Sequence, residues 1–88
     1  MNIAETIFKA KESLTRLTNR ELDGVIGVSK EGNEWKIILE LIERKGIPDS
    51  SDILGIYEMR LDEGGEILAF NRIKLRRRGD TEKLVTEI

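Results

Sequence analysis

Apolar residues recur at steps of three and four near the start of the chain, then at steps of two from about residue 24 onward. Ile3, Ile7, Leu14 and Leu17, with Ala10 between them, fall on one helical stripe, while Glu5, Lys9, Lys11, Glu12 and Arg16 fall away from it. This spacing predicts an amphipathic helix over about residues 3–18. Asn2 and Glu5 stand at the spacing of a capping box, in which a side-chain oxygen takes an orphan N–H and the glutamate reaches back. Thr18-Asn19-Arg20 ends the run.

The period of two then predicts strands over about residues 25–30, 34–44, 53–61 and 66–76. Gly24 and Gly27 soften the first, and Glu31-Gly32-Asn33 supplies a turn, because Gly and Asn tolerate positive φ. The second alternates most cleanly: Trp35, Ile37, Leu39 and Leu41 share one face, and Glu34, Lys36, Ile38, Glu40 and Ile42 share the other. Pro48 has no N–H and biases Ile47 toward extended backbone, so the segment from Lys45 to Ser51 is a connection. In the third strand Tyr57, Met59 and Leu61 lie opposite Glu58 and Arg60, and Asp62-Glu63-Gly64-Gly65 makes a hairpin loop. Short connections make neighbouring strands antiparallel. The expected fold is α+β, an N-terminal helix packed on a four-stranded antiparallel meander, as one domain over residues 1–88. The tail, residues 79–88, is open to two readings: a short C-terminal helix bearing Leu84, Val85 and Ile88, or disorder.

Composition narrows the function classes. The chain has no cysteine and no histidine, so disulfides and the usual zinc ligands are absent, and no cofactor is expected. Fifteen basic against 17 acidic residues is too even for a general nucleic-acid binder. At 88 residues a single small core leaves little margin of stability, which raises the weight of association with another protein or a homodimer. The first residues carry no basic, apolar leader, and no run approaches the ~20 apolar residues that span a bilayer. The expected compartment is the cytoplasm, with no membrane contact and no small-molecule substrate.

One helix covers one sheet face, so the other face is diagnostic. Ile38, Ile42 and Ile56 are expected there, joined by Leu54 and by either Ala69 or Phe70, among Glu40, Glu58, Arg60 and Arg72. Scattered isoleucines are ordinary on a surface, and the tail could fold back over them; an apolar centre rimmed by charge is instead a docking or dimer surface. Glu40 and Glu43 differ by an odd number and project from opposite faces, so they do not form a catalytic pair without a bulge. Glu40 and Glu58 read as members of a cross-strand ion network with Arg60 or Arg72. Trp35 and Tyr57 read as core anchors, the phenol at the rim. Lys74, Arg76, Arg77 and Arg78 form, with Arg72, the one basic cluster; charges there protect an edge strand or meet an acidic partner, and a phosphate contact is the rival reading.

The order Gly24-Val25-Ile26-Gly27-Val28, Trp35, Glu40 and Glu43, Ile47-Pro48, Asp52-Ile53-Leu54, Tyr57-Glu58, Leu61-Asp62, Gly65 and Arg72 resembles the gas vesicle protein O family over about residues 18–72. The resemblance implies a non-enzymatic accessory factor in gas vesicle assembly whose partners are other gas vesicle proteins. The binding surface is then the exposed sheet face with Ile38, Glu40, Ile42, Glu58, Arg60 and Arg72, steered by Lys74, Arg76, Arg77 and Arg78. A role in gene expression has also been proposed for the family, which keeps a nucleic-acid-binding regulator as an alternative. Downstream, where the family continues with an Arg-Tyr step, this chain reads Leu75-Arg76-Arg77-Arg78 and lacks the aromatic. By fold analogy alone, a PepSY-like or cystatin-like regulatory module shares the same order of elements.

Overall fold

Asn2 and Glu5 form the reciprocal cap expected of them: the Asn2 side chain accepts the Glu5 N–H at 2.8 Å, and Glu5 accepts the Asn2 N–H at 2.9 Å. Behind this cap runs helix α1 (Ile3–Leu17), followed by strands β1 (Leu22–Glu31), β2 (Glu34–Arg44), β3 (Ile53–Leu61) and β4 (Ile67–Arg77). The computed structural model describes residues 2–79, so the readings for the rest of the tail lie outside the described residues. The four strands form one sheet in the order β1-β2-β3-β4, and every neighbouring pair is antiparallel. The helix-on-meander architecture is the one the hydrophobic pattern predicts.

The helix is seated differently from its apolar stripe. Thr6, Ala10, Ser13 and Leu14 are its buried residues, whereas Ile3 is 56% and Leu17 43% exposed. At 100° per residue Ile3, Thr6, Ala10, Ser13 and Leu17 share one line, but α1 packs on β1 and β2 only through the middle of it. Small side chains there let the helix backbone approach the sheet closely.

Between helix and sheet lies one core, made of Ala10, Leu14, Trp35, Ile37, Leu39, Leu41, Tyr57, Met59 and Leu61, flanked by Leu22, Val25, Val28, Ile67 and Phe70. Strand β1 begins at Leu22, earlier than the period of two suggests. Bulges at Asp23 and Ile26 space Leu22, Val25 and Val28 by three, yet all three pair with core positions Leu41, Leu39 and Ile37. Similar bulges place one extra residue at Glu43 in β2 and at Leu68 and Ile73 in β4. Each one reverses which parity faces the helix. No helix among the described residues is long and apolar enough to cross a membrane.

Candidate functional site

On the face away from α1, the register brings together most of the residues singled out in the sequence. Ile38, Glu40 and Ile42 of β2 stand opposite Glu58, Ile56 and Leu54 of β3, with Lys36 opposite Arg60 at one end. Beyond them β4 contributes Ala69, Asn71, Lys74 and Arg76. Phe70 is on the helix side, stacked on Tyr57 with ring centroids 4.9 Å apart, so Ala69 is the residue that joins this face. Among the described residues, no helix or strand covers it.

Charge is interleaved with the isoleucines and not confined to a rim. Arg60 lies 3.2 Å from each of Glu31, Glu34 and Glu58, and Lys36 is 3.1 Å from Glu31. The Glu31 carboxyl is held below its ordinary range by its hydrogen bond and charge interaction with Lys36 and, to a lesser extent, by Arg60. Arg76 donates its Nε–H to Glu40 across β3, over the row that holds Leu54 and Ile56, and Leu54 is fully buried. The Nη1 of Arg76 is buried and has no hydrogen-bond partner among the described residues. Ile38, Ile42 and Ile56 remain half-buried. The β1 border of the face is different in kind: Gly24 pairs with Glu40 and Gly27 with Ile38, and a Cβ added at either would meet no atom within 4 Å. The missing side chains leave bare backbone at the edge of the sheet beside Ile38.

Arg72 is not part of this face. Because Ile73 is the extra residue of a bulge, Arg72 pairs with Tyr57 on the helix side, contrary to its expected place among Glu40, Glu58 and Arg60. It joins a cluster around Glu43, whose side chain is only 9% exposed. The Tyr57 hydroxyl donates to Glu43 Oε2, Arg20 Nε lies 2.8 Å from Oε1, and Arg72 Nη1 lies 3.7 Å from it. A Cβ at Gly55 would collide with Glu43 Oε2, so glycine is what lets the carboxylate reach the phenol. Glu40 and Glu43 thus occupy opposite faces, as their spacing predicts. The Glu43–Tyr57–Gly55 contact leaves one signal in the sequence, a glycine inside a strand of bulky alternating residues.

Burial, and then the Glu43 hydrogen bond and charge, push the Tyr57 hydroxyl above its usual value of 10.0. A raised folded-state pKa means the neutral phenol stabilises the fold fully below pH 10.0, and this contribution is lost as pH rises through the higher folded value. Tyr57 is the only tyrosine, so phenolate absorbance reports it alone. It is expected to titrate later than free tyrosine, and Tyr57→Phe is expected to cost about 1–2 kcal/mol at neutral pH in urea unfolding, through loss of a hydrogen bond to a buried charge.

The basic cluster does not form one patch. Lys74 and Arg76 pair with Ile56 and Leu54 on the far face, and Arg77 pairs with Ile53 on the helix side. Arg78, just past β4, donates to Asp52 at 3.2 Å and to Asp23 at 2.7 Å. Asp52 is buried and also accepts the Gly46 N–H at 2.7 Å. That N–H first, and Arg78 and Lys45 after it, hold the Asp52 carboxyl below the usual range. These bonds close the connection between β2 and β3 against the end of β4.

The family model described as gas vesicle synthesis protein GvpO matches residues 1–82. Gas vesicle protein O of Haloferax mediterranei is 31% identical over 84 residues, which cover 94% of this chain and 60% of that protein. Gas vesicle protein O1 of Halobacterium salinarum is 31% identical over 75 residues, covering 85% of this chain and 63% of the relative. Gas vesicle protein O of a Streptomyces species is 29% identical over 70 residues, covering 80% and 55%. The chain therefore spans about three fifths of the length of the first relatives it matches. No solved structure matches it.

Proposed function

The chain belongs to the gas vesicle synthesis protein GvpO family, and we propose that it serves gas vesicle synthesis as a non-enzymatic accessory that binds other gas vesicle proteins through its open sheet face. The observation that carries this reading is the bare backbone at Gly24 and Gly27 beside Glu40 and Ile38. Glycine inside a strand marks a bulge or a place where another group approaches the backbone closely. Gly24 and Gly27 each follow a bulge, and among the described residues no atom comes within 4 Å of where their Cβ would stand, which leaves that approach open to a partner.

In this reading an apolar side chain of the partner rests on Ile38 and Ile42, and its backbone passes over the two glycines. The surrounding carboxylates and guanidinium groups are already paired with one another. They fix the partner's orientation and disfavour wrong charge patterns more than they add affinity. Catalysis is not part of the proposal, because Glu40 is engaged by Arg76 and Glu58 by Arg60.

Ile38→Lys tests the assignment. Position 38 faces Glu58 across the strand pair, so the new ammonium has a counter-charge and a solvent path, and the fold is expected to survive. Pull-down of purified gas vesicle proteins from the same organism should weaken by at least about tenfold, the size of one lost apolar anchor. Unchanged capture of every partner by a folded Ile38→Lys chain would remove the sheet face from the proposal.

A further inference from the structure

The two ends of the sheet differ in a way that the open face does not explain. At one end the connection between β2 and β3 presents Ile47, which is 99% exposed. This tip is not loosely held. Asp52 accepts the Gly46 N–H, Ser51 N donates to Pro48 O at 2.9 Å, Asp52 N donates to Asp49 O at 2.9 Å, and Gly79 N donates to Ser50 O at 3.1 Å. A Cβ at Gly46 would come within 2.5–2.8 Å of Ser51, so the turn is closed tightly on itself. The backbone that carries this apolar side chain is thus held in place before any partner arrives, which lowers the ordering cost of binding. At the same end of the sheet stand the exposed Arg44, Lys45 and Arg77; Arg44 and Arg77 flank Ile53 in the last row. None of these three cations makes an ion pair among the described residues.

The opposite end carries both hairpin turns and has the complementary character. A shallow cleft of about 450 Å³ is lined by Asn33, Glu34, Asp62, Glu63, Gly64 and Leu68. Leu68, the extra residue of a bulge in β4, is half exposed. Across Gly64 a second cleft of about 410 Å³ adjoins it, containing the exposed Phe8 of α1. Glu63 and the nearby Glu66 are exposed and make no ion pair among the described residues.

We propose that copies of this chain associate head to tail, the Ile47 tip of one copy entering the acidic cleft beside Leu68, between the hairpin turns of the next. Arg44, Lys45 and Arg77 of the entering copy then meet Asp62 and Glu63 of the receiving one, beside Glu34, which Arg60 of its own chain already holds at 3.2 Å. The two patches are complementary to each other and not to themselves, so the contact is heterologous and extends into chains instead of stopping at a two-fold dimer. The whole-chain charge of −2 opposes such stacking only weakly, while the opposed charges of the two ends favour it and are screened by salt. The cleft shares only Glu34 with the open face, and neither Ile47 nor Leu68 belongs to that face, so the two proposals are tested by different variants.

Sedimentation of the purified chain against concentration, at low and high salt, tests the proposal together with two variants at exposed positions. The wild type is expected to show a mass that rises with concentration and falls with added salt. Ile47→Asp, which spoils the tip, and Leu68→Asp, which spoils the cleft, are each expected to stay monomeric with unchanged circular dichroism. Mixed together, they retain one intact tip and one intact cleft and are expected to form a one-to-one dimer that grows no further. A wild type that is monomeric up to about 1 mM at low salt, single variants that assemble like the wild type, or mixed variants that fail to pair would each overturn it.

Discussion

Ala10→Leu is expected to destabilise the fold by about 2–3 kcal/mol, the usual cost of forcing extra methylenes into a packed interior. Leu17→Ser and Ile3→Ser are expected to cost less than about 0.5 kcal/mol each, as exposed substitutions do. The order is the reverse of what residue size suggests, and it follows from how α1 sits. Ala10 and Thr6 are fully buried and Ser13 nearly so, which puts the helix backbone close to β1 and β2. A leucine at position 10 has nowhere to go except into that interface, so the helix must lift and the contacts of Leu14 with the core are lost with it. For a domain this small the loss is a large share of total stability. Trp35 is the only tryptophan and lies in the core that α1 covers, so urea unfolding followed by its fluorescence gives the measurement directly. If the two serine variants cost more than Ala10→Leu, the helix is seated on its large residues and the packing described here is wrong.

Much of the fold is legible in the sequence because β2 has no bulge until its last turn of alternation. Trp35, Ile37, Leu39 and Leu41 are buried in strict register, and Pro48 and the Asp62–Gly65 loop break the chain where their backbone restrictions require. Gly65, with φ of 93°, shows why that loop needs glycine. What the sequence hides are the bulges. An inserted residue leaves composition and hydrophobicity unchanged yet inverts every side chain after it. Arg72 is the clearest case: counting by twos along β4 places it with Arg60 and Glu58, and the extra residue at Ile73 moves it to Tyr57 and Glu43. Leu22 and Asp23 were hidden for the same reason, since the spacing of three at the start of β1 resembles neither a strand nor a sustained helix. Ile38, Glu40, Ile42, Glu58 and Arg60 do share one face, as their spacing predicts, because all lie in unbulged stretches of β2 and β3. Their mutual ion pairing was only partly anticipated, as long side chains reach diagonally across two strands, the way Arg76 reaches Glu40.

The second large effect concerns binding and not stability. Gly24→Val and Gly27→Thr place β-branched side chains on a strand at backbone positions where a Cβ meets nothing within 4 Å and φ is not positive. Such residues suit a pleated, half-covered surface, and replacing glycine lowers the entropy of the unfolded chain. Both variants are therefore expected to be as stable as the wild type or more so, by about 0.5–1 kcal/mol. Their new methyl groups cover the bare backbone beside Ile38, so a partner that seats its backbone there is blocked. The expected loss of affinity is on the order of a hundredfold, or about 2.7 kcal/mol. This pairing of gained stability with lost binding separates an interaction surface from an ordinary structural one, because a structural role for the glycines predicts damage to the fold instead.

The most direct measurement is a calorimetric titration of the wild type and of Gly27→Thr against each purified gas vesicle protein of the same organism, alongside their urea melts. The sheet-face account predicts at least one partner that binds the wild type and loses about a hundredfold of its affinity for a Gly27→Thr chain that melts no earlier. A Gly27→Thr chain that binds every such partner as tightly as the wild type, or a wild type that binds none of them, would contradict it.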